Sequence, residues 1–107
     1  ESFRGLPLKA PEVEKIETHN YHKFVIVLDK RDEALDWLRT NGIQALVHYQ
    51  DPLPLHKTFA SCKHRLIDCA NAQRLSKACL SLPCHAYLSN TEIDFVVNKM
   101  KEFFDKA

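Results

Sequence analysis

Glycine is scarce in this chain: Gly5 and Gly42 are the only two among 107 residues. A phosphate-cradling loop needs several glycines within a few positions so that the backbone can approach the anion, so neither a P-loop nor a dinucleotide-binding turn can be built here. An excess of charge of either sign is also absent. Fifteen lysines and arginines stand against fourteen aspartates and glutamates, a net charge of +1, and the signs are interspersed. No basic footprint for nucleic acid or an anionic membrane surface results. Long apolar runs are missing too. The longest stretch without a formal charge, Ala78 to Thr91, carries Ser, His and Asn, and it matches neither a membrane span nor a signal peptide.

The cysteines lack pairing. Cys62, Cys69, Cys79 and Cys84 lie 7, 10 and 5 residues apart, which gives no C-x-x-C knuckle and no compact disulfide framework. Reduced, mostly buried thiols acting as small apolar residues are expected. A zinc site built from Cys62, His64, Cys84 and His85 would use pairs tighter than finger spacing. The six histidines, numerous for this length, form no H-E-x-x-H or similar pattern.

What is present is a composition of 45% hydrophobic and 27% charged residues, that of one ordinary globular domain. A domain of this size buries roughly two thirds of its unfolded surface, enough for one core but not for a large cofactor cavity as well. The chain opens at Glu1 and reads as a soluble, cytoplasmic piece of something longer.

Residues 1–18 hold Pro7 and Pro11 and no sustained periodicity, so they read as an extended lead-in, with the domain spanning 19–107. From Tyr21 to Leu28, His22, Phe24, Ile26 and Leu28 alternate with Lys23, Val25 and Val27, which predicts a strand. Asp29, followed by Asp32, resembles a helix cap, and Arg31, Ala34, Leu35 and Leu38 keep helical spacing up to Asn41-Gly42, where glycine suits a left-handed stop. Ile43 to Tyr49 fits a second strand, weakened by Gln44, Ala45 and His48, and Pro52 and Pro54 then break regular pairing. A loop with Leu53, Leu55 and Phe59 follows, including a short helical turn.

Ala72, Leu75 and Cys79 repeat at helical spacing between Asp68 and Cys79, predicting a closely packed helix. Leu80-Ser81-Leu82 before Pro83 fits a third strand. Ser89 and Glu92 form an S-x-x-E capping box ahead of a core stripe of Ile93, Val96, Val97, Met100 and Phe104, flanked by Phe95 and Phe103. The flanking pair reads as core margin or as an interface with a partner domain. The order β-α-β-turn-α-β-α predicts an α+β fold: a small, open, mostly antiparallel sheet of three to four strands packed with about three helices.

His48 and Tyr49 are the best candidates for function, because they end a strand where the chain enters a proline-ruled loop. A histidine satisfied by a backbone carbonyl fits the same spacing. Cys84 and His85 are sequence neighbours whose side chains diverge in an extended segment, so they make a poor nucleophile and base. The leucines after Tyr49 could simply fill the core beneath their loop.

Four ordered blocks resemble one family. Tyr21-His22-Lys23-Phe24-Val25-Ile26, then Arg31-Asp32-Glu33 leading through Leu38 to Asn41-Gly42-Ile43, then His48-Tyr49 with Pro52-Leu53, and finally Leu80-Ser81-Leu82-Pro83 before Thr91-Glu92 are similar to the C-terminal portion of the DegT/StrS-type nucleotide-sugar aminotransferases. The similarity covers residues 16 to 105. The resemblance implies the C-terminal small domain of a pyridoxal-phosphate-dependent enzyme with the aspartate-aminotransferase fold. Such enzymes move an amino group from glutamate to a keto sugar on a nucleotide, usually as homodimers. It implies that His48 and Tyr49 contact or shape the substrate and that His22 gives structural support. It also implies that the Schiff-base lysine lies in a large domain outside this chain, so the chain alone neither holds the cofactor nor transaminates.

The family's H-Y-P-x-P-L-H stands here as His48-Tyr49-Gln50-Asp51-Pro52-Leu53-Pro54, with His56 two positions late, and Ala86 replaces a common proline. The rival reading is a stand-alone ferredoxin-like ligand-binding or regulatory module. A small metalloprotein using the cysteines is a third. The face around His48, Tyr49 and Phe59 separates the first two: a domain cut from an enzyme exposes an apolar patch there, whereas a self-sufficient module covers or pairs it.

Overall fold

Phe24–Val27 form the first strand, β1, because alternate residues can bury on opposite faces, and Ile26 with the following Leu28 goes into the core. The computed structural model describes residues 2–13, 15, 18–62 and 68–106. β1 pairs antiparallel with β2 (Cys79–Leu82), Phe24 opposite Leu82 and Val27 opposite Cys79. Each outer edge of this ladder takes one further residue pair: Lys9 bridges Val27, and Leu46 bridges Ser81. Both bridges exchange two main-chain hydrogen bonds, 2.8 to 3.1 Å long. The sheet therefore has two regular strands among the described residues rather than three or four. The strand expected over Ile43–Tyr49 shrinks to the single pair at Leu46, because Ala45 N–H turns back to Ile43 O at 2.9 Å instead of joining the ladder.

The first residues lie against this core, which Phe3, Leu6, Leu8 and Ala10 partly cover.

Helix α1 (Arg31–Thr40) buries Arg31, Ala34, Leu35 and Leu38, the stripe that the spacing predicts. Asp29 does not cap it. Lys30 holds the capping position without a side-chain bond, and Asp32 and Glu33 bring negative charge to the first turn, where the helix dipole favours it. At the other end Gly42, at φ +77°, donates to Arg39 O, while Ile43 N–H reaches Leu38 O. These two bonds close the helix in a left-handed turn that favours glycine.

Helix α3 (Asn90–Lys106) starts with the expected capping box. Glu92 N–H donates to Ser89 Oγ at 3.2 Å, and Ser89 N–H donates to Glu92 Oε2 at 2.8 Å. Its buried residues are Val97, Met100 and Phe103, with Val96 and Phe104 packed beside them. The stripe is rotated from the expected one: Phe103, three residues past Met100, enters the core, while Ile93 and Phe95 stay exposed. Trp37 Nε1–H donates to Lys99 O at 2.9 Å and ties α1 to α3.

Helix α2 (Ala70–Ala78) is not closely packed; Ser76 is its only buried residue, and Leu75 remains exposed. Its end is anchored by the buried Arg31, whose Nη1 donates to Ser76 O and Cys79 O, each at 3.1 Å. A cation there meets the Ser76 carbonyl in the last turn of α2 and the Cys79 carbonyl just past its end. The fold is α+β, with three α-helices among the described residues, as expected.

Candidate functional site

The two faces of the β1–β2 ladder differ. Ile26, Leu80 and Leu82 belong to the core, whereas Val25, Val27 and Cys79 turn to a cleft of about 900 Å³. The cleft is closed on its sides by Leu35 and Arg39 of α1, Ala72 and Leu75 of α2, and the loop from Leu46 to Leu53. The small apolar stripe of α2 thus faces an opening, which is why it is left uncovered.

His48 and Tyr49 both line this cleft. Their rings meet edge to face, 5.4 Å apart at 86°, and the peptide bond between them is cis. Tyr49 is 71% exposed and offers a flat aromatic surface to the opening. His48 is half-buried, with Nδ1 2.8 Å from Ser81 Oγ and its carbonyl oxygen accepting from Cys79 Sγ–H at 3.7 Å. A backbone carbonyl does not satisfy the ring; a serine hydroxyl does.

The loop beyond Tyr49 makes two 3₁₀ turns, Leu53–Leu55 and Lys57–Phe59. Its leucines do not fill the core: Leu53 is 72% exposed, and Leu55 and Phe59 also face solvent. Pro52 and Pro54 hold this segment away from the sheet, so no main-chain pairing draws it inward. His56 reaches the cleft rim, where Nδ1 accepts from Thr58 N–H at 3.3 Å. Arg39 brings positive charge to the wall, and it enters neither of the two ion pairs found among the described residues. No lysine lines the cleft, and Asp51 is its one carboxylate, among the described residues.

Ser81, Cys79 and Arg39 were not expected at the site, and His56 was visible in the sequence only as the displaced histidine of the H-Y-P-x-P-L-H pattern. Ser81 and Cys79 lie 33 and 31 residues from His48, and only their alternation along β2 places both on its side. Of the remaining described histidines, His19, His22 and His85 do not line the cleft. His22 is exposed with Nε2 2.8 Å from Lys23 Nζ, and His85 Nδ1 accepts from Tyr87 N–H at 3.3 Å. Cys84 is half-buried and donates to Tyr21 O at 3.1 Å, away from His48. Cys79 is buried, Cys69 half-buried and Cys62 exposed, so burial of the thiols is partial. No three metal-binding side chains come together among the described residues, and His64 lies outside them. No helix of the described residues is long and apolar enough to cross a membrane.

Comparison with known proteins gives this geometry a context. The model of the DegT/DnrJ/EryC1/StrS aminotransferase family matches residues 1–101. The chain is 35% identical over 86 residues to a pleiotropic regulatory protein of Geobacillus stearothermophilus, covering 80% of this chain and 23% of that protein. It is 26% identical over 103 residues to a dTDP-3-amino-3,4,6-trideoxy-alpha-D-glucose transaminase of Streptomyces venezuelae, covering 96% and 26%. It is 31% identical over 93 residues to a UDP-N-acetyl-3-dehydro-alpha-D-glucosamine 3-aminotransferase of Acidithiobacillus ferrooxidans, covering 87% and 25%. The fold matches that of Streptomyces venezuelae DesV, solved in complex with a ketimine intermediate, with a TM-score of 0.85 at 23% identity over 99% of this chain and 29% of that one. The chain spans about a quarter of the length of these relatives. The solved structure shows the shared fold, and with a family match that runs from the first residue through most of α3, the chain belongs to the DegT/DnrJ/EryC1/StrS aminotransferase family.

Proposed function

We propose that this chain is the C-terminal small domain of a pyridoxal-phosphate-dependent aminotransferase that moves an amino group from glutamate to a nucleotide-linked keto sugar. Residues 19–107 form the domain, 1–18 lead into it, and His48 and Tyr49 contact the substrate. The whole enzyme works as a cytoplasmic homodimer.

The observation that carries the reading is the unfinished cleft. Leu46, Tyr49, Leu53 and Leu75 line it, Leu55 and Phe59 follow on the same loop, and all six are at least 40% exposed. A self-contained ferredoxin-like module would cover such a face or pair it; a small domain that packs beside a larger one leaves it for that partner. Two of the relatives are named as aminating enzymes of nucleotide-linked sugars.

Pyridoxal phosphate, when bound, acts as the electron sink of transamination. The cleft residues of this chain do not fit it on their own. Among the described residues no lysine lines the cleft, and the two glycines, Gly5 and Gly42, sit in separate turns rather than a phosphate cup. What the chain contributes is a wall: an aromatic surface at Tyr49, a ring nitrogen at His48 and the cation of Arg39. These groups bind and orient a polar ligand and exclude water from one side of it.

The test is an assay of the complete reading frame that encodes this chain, purified with its cofactor and given glutamate and nucleotide-linked keto sugars. Release of 2-oxoglutarate with formation of an amino sugar is expected, and His48→Ala or Tyr49→Ala should lower kcat/KM by about tenfold or more through KM. A cofactor-loaded protein that releases no 2-oxoglutarate with any such sugar overturns the reading. The 107-residue chain alone is expected to keep no cofactor absorbance after dialysis.

A further inference from the structure

β2 holds His48 at three points. The main chain of Ser81 exchanges hydrogen bonds of 2.8 and 3.1 Å with Leu46, two residues before the histidine. Cys79 Sγ–H takes the His48 carbonyl, and Ser81 Oγ meets its Nδ1 at 2.8 Å. Residues 79 and 81 leave the strand on the same face, so one short element fixes both the backbone and the ring.

The direction of the serine bond follows from burial. Ser81 is 6% exposed, and its hydroxyl has one partner among the described residues, Nδ1. If Nδ1 carried the proton, the hydroxyl hydrogen would be buried without an acceptor, the costly arrangement for a polar group. The hydroxyl therefore donates to Nδ1, and the neutral ring keeps its proton on Nε2. Nε2 has no partner among the described residues, yet no buried side-chain nitrogen or oxygen there is left unpaired. Its N–H is accordingly exposed, on a ring that lines the cleft.

We infer that Ser81 is a positioning residue, which sets His48 as an Nε2–H donor for a phosphate oxygen of the nucleotide part of the ligand. The inference rests on the reading of His48 as a substrate contact. Arg39 on the same cleft gives such an oxygen a counter-charge, and a ring held with Nδ1 already occupied can present only a donor. A base at Nε2 is not what the geometry builds.

The experiment is nitrogen-15 NMR of the histidine rings of the 107-residue chain near neutral pH. The wild-type His48 signals are expected in the pattern of the Nε2–H form. Ser81→Ala should raise the share of the Nδ1–H form by about threefold or more, as expected for loss of one neutral hydrogen bond, and Ser81→Thr should restore it. A wild-type ring in the Nδ1–H form overturns the inference, and so does a Ser81→Ala chain with a native amide spectrum and an unchanged tautomer ratio. The wild-type spectrum decides the matter even if Ser81→Ala does not fold. An enzyme that fails to aminate any sugar nucleotide while His48 shows the Nε2–H pattern would sink the functional reading and the phosphate contact with it, and leave only the setting of the ring by Ser81.

Discussion

The same two strands are finished on one side and unfinished on the other. On the core side, Ile26 and Leu80 are fully buried against α1 and α3, which the chain supplies itself and ties together through Trp37. On the cleft side, α2 and the proline-ruled loop stand back from Val25 and Val27, and their apolar residues remain in solvent. The difference shows that local amphipathic pattern and finished burial are separate properties. A stripe on a helix states which face is apolar; what covers it can lie outside the chain.

That contrast can be broken most severely from the core side. Leu80→Ala should cost about 2–5 kcal/mol, because the methyl groups removed lie in a packed interior that relaxes only in part. Leu53→Ala, its counterpart on the open loop, should stay within about 0.5 kcal/mol. Urea unfolding of both variants checks the pair, and equal losses would mean that the two sides are not distinct. The seam between them is Arg31. Arg31→Met should cost about 2 kcal/mol by stranding the carbonyls of Ser76 and Cys79, and amide exchange should quicken in α2 more than in α3.

The smallest effect concerns pH and the cap of α3. The Ser89 main-chain N–H, then its hydroxyl, hold the Glu92 carboxyl below the usual carboxylate range, with His85 adding a minor contribution. A carboxyl lowered on folding adds stability that is present above its unfolded value and lost as pH falls through the lowered folded one. Wild type should therefore exceed Glu92→Gln by a margin that shrinks on acidification through that window, read as the difference in urea midpoints. A margin that does not change with pH would remove the carboxylate from the account.

Much of the core side was legible in residue order. Arg31, Ala34, Leu35 and Leu38 form the buried face that their spacing announces, and Ser89 with Glu92 caps the helix as the motif states. Both are local facts, spanning a few residues. Phe103 was misplaced because a helix with apolar residues on more than one third of its circumference has two plausible inner faces, and only the docking of α3 chooses between them. Lys30 rather than Asp29 precedes α1 and no side chain caps it; Asp32 and Glu33 contribute only their charge near that helix end.

At the site, His48 and Tyr49 were visible as a strand end before prolines, and the structure brings both to one cleft. Their supports were not. Ser81 read as an ordinary member of an apolar strand and Cys79 as the end of a helix stripe, and the guanidinium of Arg31 finds its carbonyls 45 and 48 residues away. Pairings at that separation depend on register, which no window of neighbouring residues contains.

The bridges at the two margins of the ladder bear on how another molecule can approach. Lys9 occupies the outward hydrogen-bonding groups of Val27, and Leu46 those of Ser81. A foreign backbone cannot zip onto the sheet at those residues, so recruitment by strand addition is blocked there. At those two residues a partner is left with side-chain contacts, where shape and chemical fit, rather than generic main-chain adhesion, decide what is accepted.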